Sequence, residues 1–282
     1  MVSVCYSAVS SCCSRSHLRN QVSVRILRNR RGDVTNSARR IQFLQKLINA
    51  KSYLEVGVYE GDTFLQLDFE EMVAVDPLFC FDIVANSAPG REFYSMSSDS
   101  FFGAAISNRQ FDIIFLDGLH TYDQTLRDLI NALLCAHPCS FILLDDTVPN
   151  DVYSAMRDPS IAFEMRRGAY SGPPDAMNLC WHGDTYKILF YVKLFLSKME
   201  YATINTDGNP QTLLWNRSLF PDYSQRKPPF IPFVDLRALR HVVESMRHVD
   251  YVWTLNEFRD IFQECGEDQI LDYFSTAMLR PA

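Results

Sequence analysis

The chain has 282 residues, of which 47% are hydrophobic, and it carries a formal net charge of −7 at pH 7. Its length allows either one large domain with appendages or two small domains, each with a buried core. The negative charge excludes a nucleic-acid-binding surface over the chain as a whole, and no apolar run approaches the roughly 18 residues that a membrane-spanning helix needs. The eight cysteines are scattered along the chain, which indicates reduced thiols rather than a disulfide framework.

The first 33 residues differ from the rest, because they hold seven Ser, six Arg and no acidic residue before Asp33. We interpret them as a disordered basic tail or as non-native residues from an upstream start codon. The alternative is a mitochondrial transit peptide, which is also rich in Arg and Ser and poor in acids. The expected location is therefore cytoplasmic, with a mitochondrial location as the alternative.

Strands and helices alternate from residue 36 onwards. The first helix is expected to begin at Asn36 or Ser37 and to run to about residue 50, with its apolar residues on one face. The strand at 111–117 is almost continuously apolar, as in a parallel sheet that is covered on both faces. Further apolar runs predict strands over residues 52–57, 72–76, 92–96 and 140–146 and a helix over residues 122–136. This alternation predicts right-handed crossovers and a doubly wound sheet.

A long polar segment, residues 147–180, follows the fifth strand and is predicted to be a lid, because a loop of this length inside a domain is usually functional. A helix over residues 184–198 comes next. Strands over residues 201–205 and 211–216 are then expected to form an antiparallel hairpin. After residue 216, a linker rich in Pro and aromatic residues leads to predicted helices at 235–248 and 254–264, which would cover the active site or mediate a homodimer.

The predicted fold is thus α/β: a Rossmann-like, doubly wound, mostly parallel seven-stranded sheet with an antiparallel final hairpin and a C-terminal helical appendage. The predicted division is a basic tail or targeting segment at 1–33, a cofactor-binding domain at 34–216 and a C-terminal helical extension at 217–282.

The turn after the first strand is the most informative segment. Gly57 and Gly61 follow a buried strand and precede a helix start, and glycine lets backbone come close to a bound ligand. The second strand ends in Asp76, about 20 residues later, where nucleotide-binding folds place a ribose-binding acid. The full three-glycine dinucleotide fingerprint is absent from the sequence, which argues against a nicotinamide cofactor.

Acidic residues also end the fourth and fifth strands: Asp117, and the pair Asp145 and Asp146. Each alone could be a helix cap or a turn former. Carboxylates that converge at one sheet edge repel each other unless a cation neutralises them. An all-oxygen set of ligands suits Mg²⁺, Ca²⁺ or Mn²⁺ rather than zinc, so a divalent cation is expected here.

His120 lies three residues after Asp117 and before the next predicted helix. It is either a general base, since its ordinary pKa lies near neutrality, or a cap or hydrogen-bonding group with no role in proton transfer. Asp184 and Lys187 leave a similar choice open. Asp184 would cap its own helix, or it would pair with Lys187 to close the lid over a substrate.

Together these motifs resemble the class I S-adenosylmethionine-dependent methyltransferases, and within them a bacterial small-molecule group with an Asp-Gly-Leu-His-Thr-Tyr motif. The chain is also similar to metal-dependent sugar O-methyltransferases and to cephalosporin-hydroxylase-like proteins. The resemblance covers about residues 36–216. Its motifs are Glu55-Val-Gly57-Val-Tyr-Glu-Gly61, Val75-Asp76-Pro77, Met96-Ser-Ser98-Asp99-Ser-Phe101-Phe102, Asp117-Gly-Leu-His-Thr-Tyr122, Leu144-Asp145-Asp146-Thr147 and Gly183-Asp184-Thr-Tyr-Lys187.

The resemblance implies a role for each matching residue. Glu55, Gly57, Tyr59 and Gly61 would line the methionine part of S-adenosylmethionine. Asp76 would bind the ribose hydroxyls, Ser98 and Asp99 would lie near the adenine, and Asp117 would border the cofactor. Asp117, Asp145 and Asp146 would hold Mg²⁺ or another divalent cation, with Asp117 and His120 as the catalytic residues.

The activity that this implies is Mg-assisted O-methylation of a small hydroxylated acceptor, such as a sugar, a phenol or a secondary metabolite. The alternatives are a non-catalytic cofactor-binding module on the same fold, or another enzyme class such as an oxidoreductase.

Overall fold

The chain folds around one eight-stranded sheet that is flanked by helices on both faces, in a computed structural model that describes residues 34–104, 109–172, 177, 180–206, 210–220 and 236–278. The basic segment 1–33 and most of the hairpin turn, residues 207–209, lie outside the described residues.

The strands are β1 (Ser52–Val56), β2 (Glu71–Val75), β3 (Arg91–Tyr94), β4 (Phe111–Leu116), β5 (Ala136–Leu144), β6 (Met199–Ile204), β7 (Gln211–Asn216) and β8 (Glu264–Cys265). The helices are α1 (Asn36–Ile48), α2 (Ser98–Ala104), α3 (Tyr122–Leu134), α4 (Pro159–Ala169), α5 (Ile188–Phe195), α6 (Leu236–Ser245), α7 (Tyr251–Glu257) and α8 (Glu267–Met278).

The strand order in the sheet is β3-β2-β1-β4-β5-β7-β6-β8. Strands β1 to β5 run parallel to one another, while β7 runs antiparallel between β5 and β6. This confirms the doubly wound, mostly parallel sheet with its final hairpin. The predicted number of seven strands was wrong, because Glu264 and Cys265 pair with the edge of β6 as an eighth. Two residues are too few to give a periodic signal in the sequence.

Alternate residues of each central strand pack into two hydrophobic cores, one on each face of the sheet. In β1, Leu54 and Val56 belong to one core and Tyr53 to the other. Helices α3 and α5 cover the first face, and α1 and α8 cover the second. Both faces are therefore occupied, which explains why β4 reads as an almost unbroken apolar run.

Several predicted boundaries need correction. Helix α1 is capped by Thr35, whose hydroxyl accepts a hydrogen bond from the Ala38 amide, and neither Asn36 nor Ser37 is the cap. The polar segment 147–180 is not a continuous loop, because it contains α4. Asp158 caps this helix and Pro159 opens it, a pair of start signals that the sequence displayed.

The C-terminal region differs most from its prediction. The helix expected at 254–264 was wrong, since α7 begins after the cap Asp250 and ends at Glu257. Helix α8 was not predicted. It packs beside α1, where its first residue, Glu267, forms ion pairs with Arg39 and with the buried Arg40. The described part of the extension is thus built into the sheet and into both of its cores. Among the described residues, no helix is long and apolar enough to cross a membrane.

Candidate active site

The carboxyl ends of the parallel strands bring the predicted acids to one edge of the sheet. Backbone hydrogen bonds continue one residue past each strand. The Asp117 amide donates to the Val56 carbonyl (2.8 Å), and the Asp145 amide donates to the Leu116 carbonyl (3.0 Å). Open α/β sheets bind their ligands at this edge.

Gly57 allows the turn after β1 to touch the loop after β4. Its φ is +89°, and a Cβ atom at this position would lie 1.8 Å from the Asp117 carbonyl oxygen. Gly61 also has a positive φ, +78°, and a Cβ there would lie 2.8 Å from the Leu65 side chain. Each conformation favours glycine, and the first also leaves no space for any side chain.

Asp76 organises the backbone on its side of the site. One carboxylate oxygen accepts a hydrogen bond from the Tyr59 amide (2.9 Å) and the other from the Leu78 amide (2.7 Å). Tyr59 itself adopts a positive φ of 42° and is half-exposed. The turn-forming role considered for a strand-end Asp is therefore present, and the predicted ribose contact stays a prediction.

Glu55 lies beneath the acids in the middle of β1 and is 1% exposed. Burial raises the pKa of Glu55 well above its ordinary value, and the charges of Asp117 and Asp76 raise it further, against the hydrogen bond that Tyr53 donates. A protonated Glu55 would remove one negative charge from a crowded site.

Ser98 and Asp99 begin α2 and face α3. The Ser98 hydroxyl accepts a hydrogen bond from the Gln124 side chain (3.1 Å). Asp99 is half-exposed and pairs with Arg127 (3.2 Å). Gln124 also bonds to Asp128, which lines the same pocket as Asp117; the predicted proximity of Ser98 and Asp99 to adenine is untested.

The tightest cluster of candidate ligands consists of Asp117, His120 and Asp146, whose ligand atoms lie within 4.8 Å of one another. The His120 Nδ1 atom is 2.7 Å from an Asp146 carboxylate oxygen, and its Nε2 atom is 3.5 Å from Asp117 Oδ1. The sequence predicted the two aspartates together, but it placed Asp145 rather than His120 beside them as a metal ligand.

Asp145 points away from this cluster. Its Oδ1 atom accepts a hydrogen bond from the Asp146 amide (2.9 Å) and its Oδ2 atom accepts one from Gln211 (3.2 Å). Asp146 has a positive φ of 57°, so the chain turns between the two aspartates and their side chains point in different directions. Asp145 nevertheless borders, with Asp117 and His120, a cavity of about 240 Å³ that includes space open to solvent.

The charges in the cluster are strongly coupled. Burial and the charge of Asp146 raise the pKa of Asp117 to about 6, against the opposing effect of His120. Burial alone would lower the pKa of His120, but the carboxylates of Asp146 and Asp117 outweigh it and raise that pKa well above its ordinary value. Burial likewise opposes ionisation of Asp146, yet the His120 charge keeps the pKa of Asp146 low. The two carboxylates thus favour the charged form of His120.

Sequence reasoning missed His182 as a residue of the site and did not place Trp181 beside His120. The Trp181 ring stacks on the His120 ring with centroids 5.4 Å apart. The His182 Nε2 atom lies 3.6 Å from Asp146, while its buried Nδ1 atom has no hydrogen-bond partner among the described residues. Both residues directly follow the predicted lid, about 60 positions after His120. No local pattern in the sequence predicted these contacts.

Asp184 fits neither of the two predicted roles completely. It caps α3 rather than its own helix, because its Oδ1 atom accepts a hydrogen bond from the Tyr122 amide (2.7 Å). Its Oδ2 atom pairs with Lys187 Nζ (3.1 Å), and both side chains are buried. The expected charge pair exists, but it lies in the protein interior.

Comparisons with known proteins give one match to a protein-family model and several similar solved structures. Residues 54–147 match a protein-family model described as a methyltransferase domain. No curated protein gives a significant sequence match. Solved structures with a similar fold include the O-methyltransferase TomG from Streptomyces achromogenes, involved in tomaymycin synthesis and bound to S-adenosylmethionine (13% identity, 66% of this chain and 82% of that chain, TM-score 0.42). Another is the O-methyltransferase from Bacillus cereus in complex with S-adenosylhomocysteine (17% identity, 65% and 83%, TM-score 0.43). The chain thus has a Rossmann-like α/β fold, and its residues 54–147 match a methyltransferase domain in sequence.

Proposed function

We propose that the protein transfers a methyl group from S-adenosylmethionine to a hydroxyl oxygen of a small acceptor. One observation carries this proposal: His120 lies between Asp117 and Asp146 at the sheet edge, next to the glycine turn that follows β1. The acceptor class, a sugar, a phenol or a secondary metabolite, follows from the family resemblance.

The proposed cofactor site fits the donors that are present. The turn from Gly57 to Gly61 would bring backbone close to the methionine part of the cofactor, with Glu55 and Tyr59 beside it. Asp76 already accepts two backbone hydrogen bonds. A carboxylate can accept about four, so capacity remains for the ribose hydroxyls. Ser98 and Asp99 would border the adenine.

The proposed cation site draws on Asp117, Asp145 and Asp146. Burial and neighbouring acids raise the pKa of Asp117 and of Asp145, which is the effect that a cation would relieve. A divalent ion here would lower the pKa of the acceptor hydroxyl and orient it. The third residue of the observed cluster is His120 rather than Asp145. Mg²⁺ prefers oxygen ligands, so it would bind Asp145 or water in place of His120.

His120 is the proposed base. Its Nδ1 atom faces two oxygen acceptors, Asp146 and the Trp181 carbonyl (3.0 Å), and so it carries a proton. Its Nε2 atom is then the nitrogen that can take the proton of the acceptor hydroxyl. The pKa of His120 falls when positive charge neutralises Asp117 and Asp146, which frees Nε2 for this step.

In the reaction, the acceptor oxygen forms a bond to the methyl carbon as the carbon–sulfur bond of the sulfonium breaks. The proton goes to His120, and the products are S-adenosylhomocysteine and a methyl ether. The donor is already activated, so the chain mainly has to align the partners and to exclude water. Helix α4 and the other described residues of the segment 147–180 would select the acceptor.

The first test is thermal stability with S-adenosylhomocysteine, with Mg²⁺ and with EDTA. A ligand at about 100 times its dissociation constant adds roughly 2.7 kcal/mol to the free energy of unfolding. We expect a shift that Mg²⁺ enhances and Asp76→Ala weakens. A shift without Mg²⁺ dependence would keep the methyltransferase and remove the cation site.

Thermal shift and a turnover assay together separate the alternatives. No shift with S-adenosylhomocysteine would contradict the proposal, a shift without turnover of S-adenosylmethionine would favour the non-catalytic cofactor-binding module, and a shift with NAD would favour an oxidoreductase. Light scattering would test the proposed homodimer. The proposed location is the cytoplasm, with a mitochondrial location as the alternative if the N-terminal segment is a transit peptide.

A further inference from the structure

The four residues that directly follow the predicted lid, which we call the 181–184 segment, all contact the candidate site or the helix start beside it. His182 faces Asp146. The other three contact the loop and helix start at 117–122, which the sequence placed about 60 positions earlier. The segment therefore forms the wall against which this loop rests.

Trp181 holds the His120 ring in two ways. Its own ring stacks on the imidazole at an interplanar angle of 24°, and its carbonyl oxygen lies 3.0 Å from His120 Nδ1. Trp181 is itself anchored, because its indole N–H donates to the Met156 carbonyl at 2.6 Å. The imidazole is thus fixed both in its plane and in the direction of its Nδ1–H bond.

Gly183 and Asp184 hold the backbone of the same loop. Gly183 has a φ of +60°, and a Cβ atom there would lie 1.6 Å from the His120 carbonyl oxygen. Asp184 accepts the Tyr122 amide hydrogen at 2.7 Å. Since ring and backbone are held by neighbouring residues, any movement of this segment would move His120.

We propose that Trp181 is a positioning residue, which holds the His120 ring in the orientation that presents Nε2 to the acceptor. This inference rests on the proposed role of His120 as the base. The segment that directly follows the predicted lid would thus orient the group that takes the proton.

The test uses long-range ¹H–¹⁵N spectra of the histidine rings in the full chain, with the His120 signals assigned by their loss in His120→Gln. In wild-type protein we expect a protonated Nδ1 with slow proton exchange. Trp181→Ala keeps the backbone carbonyl but removes the ring stack and the indole hydrogen bond to Met156. The Nδ1 proton should then exchange about threefold to tenfold faster, the effect of losing one hydrogen bond that anchors Trp181. Trp181→Phe keeps an aromatic stack and should largely restore the wild-type spectrum.

Trp253→Ala is the matched control, because Trp253 is partly exposed on α7 and packs on Phe258. It should leave the His120 signals unchanged. If Trp181→Ala fails to fold, Trp181→Leu makes the same comparison while retaining apolar volume.

Wild-type shifts and a wild-type exchange rate in a folded Trp181→Ala or Trp181→Leu would overturn the inference. Binding of S-adenosylhomocysteine is measured in parallel by thermal shift. Its absence in wild-type protein would overturn the proposed function instead, so the two failures are distinguishable.

Discussion

Gly57→Ala should damage the candidate site and the fold together. An alanine at a φ of +89° costs about 1–2 kcal/mol from backbone strain alone. The added Cβ would also lie 1.8 Å from the Asp117 carbonyl oxygen, so the loops after β1 and β4 must separate. We expect a total loss of about 3 kcal/mol or more, within the range of strained backbone sites that also clash.

Two other glycines serve as controls for this variant. Gly90 has a φ of +81°, and a Cβ there would lie 2.1 Å from the Glu70 carbonyl oxygen, but it precedes β3 at the opposite end of the sheet. Gly90→Ala should lose similar stability and keep cofactor binding. Gly168 lies in α4 with open space around it, so Gly168→Ala should be neutral or stabilising by up to about 1 kcal/mol.

The assay is urea denaturation of the three variants, followed by titration with S-adenosylhomocysteine under conditions where each is folded. A loss below about 1 kcal/mol for Gly57→Ala would refute the argument, because strain alone should exceed it. Equal cofactor affinity in Gly57→Ala and Gly90→Ala would show that the close approach at β1 does not shape the cofactor site.

Three further predictions concern charge. Burial raises the pKa of Asp117 to about 6, so the folded protein retains a proton there that the unfolded chain releases near pH 4. Stability should therefore fall as the pH rises from about 4 to 6, and this fall should disappear in Asp117→Asn. Melting temperatures measured across this pH range test it, and the same pH profile in both proteins would contradict it. Asp184→Ala leaves the buried Lys187 amine without its carboxylate and should cost about 3–5 kcal/mol in urea denaturation, whereas a loss under 1 kcal/mol would show that the pair contributes little. Glu267→Gln removes the charge that faces buried Arg40 and should speed hydrogen exchange across α8 before the rest of the sheet; uniform exchange would indicate that α8 does not open separately.

The sequence was sufficient to predict the first seven strands of the sheet and the glycine turn after β1. The apolar runs of β1, β2 and β4 follow from burial on both faces, which any parallel sheet imposes on its central strands. Gly57 was identifiable because only glycine fits where one strand-end turn meets another. These features depend on short segments, so they can be recognised in the sequence without knowing which distant segments pack against them.

The composition of the cluster needed the tertiary structure. Asp145 and Asp146 look equivalent in the sequence, but they point in different directions, and only Asp146 meets His120. The direction of a side chain just beyond a strand depends on the turn that follows, and Asp146 adopts a positive φ of 57° there. No pattern of residue types encodes that angle reliably.

The 181–184 segment and strand β8 illustrate the same limit over longer distances. Trp181 reaches His120 across 61 positions, and β8 pairs with β6 through only two residues. Local periodicity determined which segments of this protein become strands and helices. The packing of distant segments against each other decided which side chains meet at the sheet edge, because those contacts depend on the path of the whole chain rather than on any one stretch of it.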